Sequence, residues 1–306
     1  MWCRAHVDLG AHSGGAIGIG QAFAETLVKR GAKVVIGDIN EENGNKTVAA
    51  FNEGKPEPVA LFHRSDVTDF GSVVGLFAAA TSAAFNPSKR VDIVISNAGI
   101  LDFTFVASAK MPLEELYAKG AAAAPGLKCL DICLTGALHT AWISMVHFRN
   151  QEPDSDGNRG RLLIAASEAG IVPMPGEVIY GTAKAGAVAL TRALGPLLQP
   201  EGIYVNSYCP NLIETAIAPS WLFDGARKTG TLVTKDFLVD KSLELFADPK
   251  SQLVGQQLCF TAKEFGLRTQ PKFFSNDARE NAMVFFDQNV QDKLMNIPEG
   301  IPVVPL

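Results

Sequence analysis

Short apolar runs rich in β-branched residues recur along this chain, at 33–37 (KVVIG), 91–96 (VDIVIS), 161–165 (RLLIA), 203–207 (IYVNS) and 257–260 (QLCF). Between them, 21–30, 71–85, 133–148 and 182–198 read as helices. A strand apolar on both faces has to be covered on both sides, and strands separated by helices pair in parallel. The spacing therefore predicts an α/β fold, one parallel sheet with helices on both faces. No internal repeat and no linker divides the chain, so 1–306 is expected to be a single domain, with a core over about 5–262 and an extension over 263–306. Three prolines in 297–306 exclude a regular element there. The expected first strand, 5–11, fits this scheme poorly: a buried central strand should be apolar, yet it carries His6 and Asp8.

The formal net charge of −5 argues against nucleic acid or an anionic membrane as the main partner, since both select a basic face. No apolar run reaches the length of a membrane span, and the first residues lack the continuous apolar segment of a signal peptide. The five cysteines, Cys3, Cys129, Cys133, Cys209 and Cys259, show neither zinc spacing nor a disulfide framework. They read as scattered reduced thiols, which suggests a cytoplasmic protein.

The expected first strand is followed by Ser13, Gly14, Gly18, Ile19 and Gly20, then by a helical pattern. Glycines at such a turn let the backbone approach a pyrophosphate, and the helix amino terminus offers N–H groups and a positive dipole end. The spacing is G-x-x-x-G-x-G, not the common G-x-G-x-x-G. The run at 33–37 ends at Asp38, a carboxylate placed to accept hydrogen bonds from an adenosine ribose and to repel a 2′-phosphate. No Lys or Arg lies in the loop or directly after Asp38, which favours NAD over NADP. Asp66 and Val67, then Asn97, Ala98 and Gly99, follow strand ends, where open α/β sheets bind ligands.

Tyr180 and Lys184 stand four apart in a run of small residues. That spacing places both on one helix face. Taken alone, the pair reads as a packed tyrosine beside a solvated lysine.

In this order, the glycine loop, Asp66, Asn97–Gly99, Ser167, Tyr180-x-x-x-Lys184 and PNLIET at 210–215 resemble the short-chain dehydrogenase/reductase family, over about 13–260. The texture is similar to its 15-hydroxyprostaglandin dehydrogenase-like branch and to fungal secondary-metabolite dehydrogenases. The resemblance implies a single Rossmann-like doubly wound domain and hydride exchange between a nicotinamide and a secondary alcohol or ketone. It makes Tyr180 the acid/base, Lys184 the cation that lowers the tyrosine pKa and holds the nicotinamide ribose, and Ser167 a donor to the substrate oxygen. Ile213, through its backbone, and Thr215 would grip the carboxamide. It also implies a homodimer or homotetramer built on the helices at 133–148 and 182–198.

The chain departs from the family pattern at Ser13 (usually Thr), at Asn211 (usually Gly) and at Cys133 (commonly Asn). Asn211 is expected to tolerate a left-handed turn. Cys133, lacking an amide, is expected to weaken or reroute a proton relay behind Lys184.

Loops at 100–128 and 215–234 would set specificity. Phe105, Met111, Leu113, Trp221, Leu222 and Phe223 suggest a small hydrophobic alcohol or ketone substrate held by packing with few polar contacts, and the resemblance to fungal secondary-metabolite dehydrogenases implies a role in secondary metabolism. Arg227 and Lys228 are expected to be solvated. Two other readings stay open: a cofactor-binding sensor or scaffold without redox turnover, and a dehydration or cyclisation on the same fold.

Overall fold

The structure is a computed structural model that describes residues 9–248, 250–268 and 275. Eight strands form one sheet: β1 (Leu9–Ser13), β2 (Lys33–Asp38), β3 (Ala60–Arg64), β4 (Ile93–Ser96), β5 (Gly160–Ala165), β6 (Ile203–Pro210), β7 (Gln257–Phe260) and β8 (Phe265–Arg268). Their order is β3-β2-β1-β4-β5-β6-β7-β8, all parallel except β8, which pairs antiparallel with β7. The main helices are α1 (Gly18–Lys29), α2 (Glu41–Asn52) and α3 (Phe70–Ala80). Three short ones follow, α4 (Phe105–Ser108), α5 (Leu113–Lys119) and α6 (Lys128–Leu130). Then come α7 (Gly136–Arg149), α8 (Val178–Leu198), α9 (Asp224–Thr229) and α10 (Lys235–Phe246).

The central strands alternate between two apolar cores. Val35, Val94, Leu162, Ile164 and Val205 face Phe77, Phe148 and Val188 from α3, α7 and α8. Val34, Ile36, Ile93, Ile95 and Leu163 face Phe23, Leu27, Leu238 and Leu243 from α1 and α10. Two buried faces explain why these strands read as continuous apolar runs. The sheet order reverses between β1 and β4, so the crevice past their carboxyl ends is the expected ligand position.

Several expectations need correction. β1 runs over Leu9–Ser13, later than 5–11, and residues 5–8, with His6 and Asp8, lie outside the described residues. β8, α2 and α10 go beyond the expected elements, and β3, implied by a strand end before Asp66, spans Ala60–Arg64. Of the expected 263–306 extension, the part up to Arg268 supplies β8 on the sheet edge, and the stretch 297–306 lies outside the described residues.

By length and composition alone, Leu113–Arg149 resembles a membrane span. It is not one straight helix. Gly120 takes a φ of 51°, the chain leaves the helix before α6, and Asp131–Thr135 forms a π-turn ahead of α7. α7 then packs Ala137, Ala141 and Phe148 into the core.

Candidate active site

The turn between β1 and α1 is shaped by contact. Gly14 and Gly18 have φ of 65° and 66°, which glycine adopts without strain. A Cβ on Gly14 would lie 2.8 Å from the Ala98 Cα, so this loop and the end of β4 touch through backbone. Asn97 ties the two together: its amide donates to the Gly14 carbonyl at 2.8 Å, and its Oδ1 accepts from the Tyr208 hydroxyl at 2.5 Å. Asp38 accepts from the Ala16 and Asn40 backbone N–H groups at 3.1 and 3.0 Å. Ile17, at the cap of α1, offers no side-chain bond, so that end of the helix has no polar side chain closing it.

Gly14, Gly18, Ile19, Asp38, Asp66, Val67, Asn97, Ala98, Gly99 and Thr215 line a single cleft of about 720 Å³. Gly20 does not reach it; a Cβ there would strike the Gly14 carbonyl oxygen at 2.2 Å, so its role is to let α1 close onto the loop. Ile213 is buried in the core. The Ser13 side chain lies outside the described residues. The carboxylate of Asp66 accepts from the Thr68 N–H and hydroxyl at 2.9 and 2.7 Å, and those donors hold its pKa below the usual range. Lys128, which sequence reasoning passed over, lines the same cleft and acts on Asp66 through its charge.

Tyr180, Ser167 and Lys184 meet behind this cleft. Ser167 caps a short turn, its Oγ accepting from the Ala169 N–H at 3.2 Å, and it hydrogen bonds to Tyr180. Tyr180 lies in the first turn of α8. Lys184 is 3% exposed. A buried ammonium needs partners: its Nζ donates to the Ala165 carbonyl at 2.7 Å and lies 5.6 Å from the Tyr180 ring centre. The expectation that Lys184 lowers the tyrosine pKa is half the account. Burial raises it and outweighs the lowering by Lys184 and Ser167, so Tyr180 holds its proton above the usual tyrosine value.

Cys133 falls in the π-turn and grips the backbone behind the Asn97–Gly99 turn. Its Sγ accepts from the Ile100 N–H and donates to the Ile100 carbonyl, both at 3.4 Å, while the Cys129 Sγ reaches the same carbonyl at 3.2 Å. Both are free thiols and converge on that one carbonyl. The hydrogen bond from Cys129, helped by the charge of Lys184, pulls the Cys133 thiol down to about 6, and Cys129 is correspondingly raised. The cysteines are thus not scattered: Cys129 with Cys133 and Cys209 with Cys259 form two close pairs.

Other expectations also change. Asn211 does not adopt a left-handed backbone; Lys89 is the non-glycine residue with positive φ among those described. The Asn211 N–H bonds to the Phe260 carbonyl at 3.2 Å, so this turn has no need of a glycine conformation. Arg227 is not simply solvated but ion-paired with Glu214 and Asp224, at 2.5 Å each. Phe223 is core, while Trp221 is 69% exposed.

The family model described as short chain dehydrogenase matches residues 13–223. Human 15-hydroxyprostaglandin dehydrogenase [NAD(+)] is 30% identical over 210 residues, 68% of this chain and 69% of that one. Cis-4-hydroxycyclohexanecarboxylate dehydrogenase from Sinomonas cyclohexanicum is 33% identical over 205 residues, 67% of this chain and 73% of its own. Among solved structures, 3-hydroxyacyl-CoA dehydrogenase type-2 from Mycobacterium avium superposes with a TM-score of 0.68 at 23% identity, covering 89% of this chain and 100% of that one. The likeness to that structure concerns the fold.

Proposed function

The chain belongs to the short-chain dehydrogenase family, and on that premise we propose that it interconverts a hydrophobic secondary alcohol and its ketone with NAD, using Tyr180 as acid/base. Membership makes it an oxidoreductase acting on a hydroxyl-bearing carbon with a nicotinamide dinucleotide. The observation that carries the finer reading is the convergence of Ser167, Tyr180 and Lys184 behind the cleft that holds Asp38.

The residues present fit the dinucleotide. The amino terminus of α1 has no side-chain cap, and the loop before it leaves no room for a Cβ at Gly14. Gly14, Gly18 and Ile19 would face the pyrophosphate, Asp38 the adenosine ribose, Asp66 and Val67 the adenine, Asn97–Gly99 the ribose backbone, and Thr215 with the Ile213 backbone the carboxamide. When bound, the cofactor supplies the hydride chemistry. Ser167 positions the substrate oxygen beside the Tyr180 hydroxyl. Tyr180 takes or returns the hydroxyl proton, and Lys184 stabilises its phenolate.

Asp38 in the cleft supports NAD over NADP, as does the NAD(+) in the name of the human relative. The hydrophobic substrate is supported by exposed apolar residues in the segments flanking the site, Phe103, Val106, Leu113 and Tyr117 on one side and Met174 and Trp221 on others. A role in secondary metabolism and a reducing, cytoplasmic setting belong to the same reading, the latter supported by four free thiols among the described residues. The apolar face of α7 and α8 supports a homo-oligomer.

Fluorescence titration with NADH and NADPH tests the cofactor. Tighter NADH binding is expected; a preference for NADPH overturns the role given to Asp38. Turnover of a panel of secondary alcohols then tests the chemistry. Tyr180→Phe should abolish turnover and keep NADH binding. Cofactor binding by the wild type without turnover of any alcohol or ketone would favour a sensor instead, and product formed without net cofactor oxidation would favour a dehydration or cyclisation.

A further inference from the structure

Cys209 and Cys259 occupy directly paired positions of β6 and β7. Neighbouring strands run about 4.8 Å apart, within the Cα separation of about 4.4–6.8 Å that a disulfide spans. Residues paired in register point to the same face of the sheet, and Cys259 packs against the core cluster that contains Cys209. Their surroundings are unequal. Cys209 is fully buried. Cys259 is partly exposed. The guanidinium of Arg268, brought in by β8 beside β7, acts on Cys259 through its charge and reaches the Glu168 carboxylate at 3.3 Å.

We propose that Cys209 and Cys259 form a dithiol modification site for a peroxide, with Cys259 as the attacked sulfur and Cys209 as the resolving one. The division follows from the placement. The thiolate is the nucleophile, and an oxidant-sensitive cysteine combines access, a nearby cation and a second thiol within reach. Cys259 has all three. The hydrogen bond from Cys209, and after it Arg268, holds the Cys259 thiol below its usual value, against burial and the charge of Glu168. Donation to Cys259, with burial, keeps the Cys209 proton in place.

The chemistry balances in two steps. The Cys259 sulfur attacks one peroxide oxygen, the O–O bond breaks, and the leaving hydroxide combines with the thiol proton as water, giving a sulfenic acid. The Cys209 sulfur then attacks that sulfur, the S–O bond breaks, and the hydroxyl leaves with the Cys209 proton as a second water. Two thiols lose two electrons and one hydrogen peroxide is reduced. Cys129 and Cys133, at 0% and 2% exposure, provide an internal comparison of equal chemistry without access.

The test uses the full chain, treated with a small molar excess of hydrogen peroxide, alkylated, digested and read by mass spectrometry. The expected result is a crosslinked peptide pair containing Cys209 and Cys259, lighter by two hydrogens and released by dithiothreitol. Cys209→Ser should leave a sulfenic acid on Cys259 that dimedone traps, and Cys259→Ser should remove the crosslink. Arg268→Gln, which leaves both thiols in place, should slow crosslinking severalfold; an unchanged rate overturns the part given to the guanidinium. Oxidation falling first on Cys129, Cys133 or Cys3 while Cys209 and Cys259 stay reduced overturns the proposal. The readout is a covalent bond, so it is independent of whether the dehydrogenase reading survives.

Discussion

At the scale of single residues, the proton on Tyr180 is contested by neighbouring charge and by burial, and burial prevails. If Tyr180 is the base, alcohol oxidation should therefore keep rising with pH through the neutral range, since the phenolate is the active form. Lys184→Met removes a lowering influence and should move the rising limb of kcat/KM to higher pH. A thiolate at Cys133 acts in the opposite sense, because a second negative charge disfavours the phenolate. The hydrogen bond from Cys129 and the charge of Lys184 hold the Cys133 thiol down, to about 6, which favours that thiolate. Cys133→Asn deletes the charge and should move the limb to lower pH; a profile superimposable on the wild type would dismiss both this effect and a weakened relay. Tyr208 bears on the same site from a distance. Tyr208→Phe loses the hydrogen bond to Asn97 and should cost about 1 kcal/mol in urea unfolding, with weaker NADH binding because Asn97 holds the Gly14 carbonyl.

At the scale of elements, the site depends on how closely the turn Glu168–Gly170 approaches α8. A Cβ on Gly170 would lie 2.5 Å from the Lys184 carbonyl carbon, a backbone atom that cannot swing aside. Gly170→Ala should push the turn carrying Ser167 away from the helix carrying Tyr180. The expected losses are about 1–3 kcal/mol of stability from overpacking and on the order of 100-fold in kcat from misplacement. Gly225→Ala, where an added Cβ meets nothing, is the matched control and should change neither. An unchanged kcat in Gly170→Ala would mean that Ser167 is not positioned through this contact. The same packing explains what could be read from sequence. Strands β2, β4, β5 and β6 are buried on both faces, so their apolar runs stand out. β3 is an edge strand that ends in His63 and Arg64, and β8 is exposed at all four positions, so neither carries that pattern. α2 is polar along most of its length, and Gly44, which reads as a breaker, is small because a Cβ there would meet the Phe62 ring at 2.0 Å. The motif residues were legible because their chemistry requires fixed spacing. The thiol pairs were not, since Cys209 and Cys259 meet only through strand register, and the grip of Cys129 and Cys133 on Ile100 depends on a π-turn that periodicity does not reveal.

At the scale of the whole molecule, one face of α7 and α8 is left with more apolar surface than a monomer needs. Leu138, Trp142 and Val146 are 44%, 54% and 42% exposed on α7, with Phe70 of α3 at 40% beside them. Phe70 packs edge-on to Trp142 and to His139, and Leu190 and Leu194 of α8 complete a shallow hollow of about 350 Å³. A contiguous patch of this kind is suited to an interface, and a two-fold axis is the simplest way for one chain to cover it with itself. In such an interface every substitution occurs twice and acts on the same buried centre. Large aromatics at that centre carry much of the binding energy, on the order of 2 kcal/mol or more each. Trp142→Glu should therefore place two carboxylates in or near one apolar contact and dissociate the assembly, while a charge placed at Lys228, on exposed α9, should leave it intact. Light scattering on the purified protein decides the matter. A wild type with the mass of one chain overturns the homo-oligomer, and a Trp142→Glu protein that keeps the wild-type mass assigns the contact to another face. A monomeric Trp142→Glu that still binds NADH would show that the cleft, formed within one chain, does not need the partner.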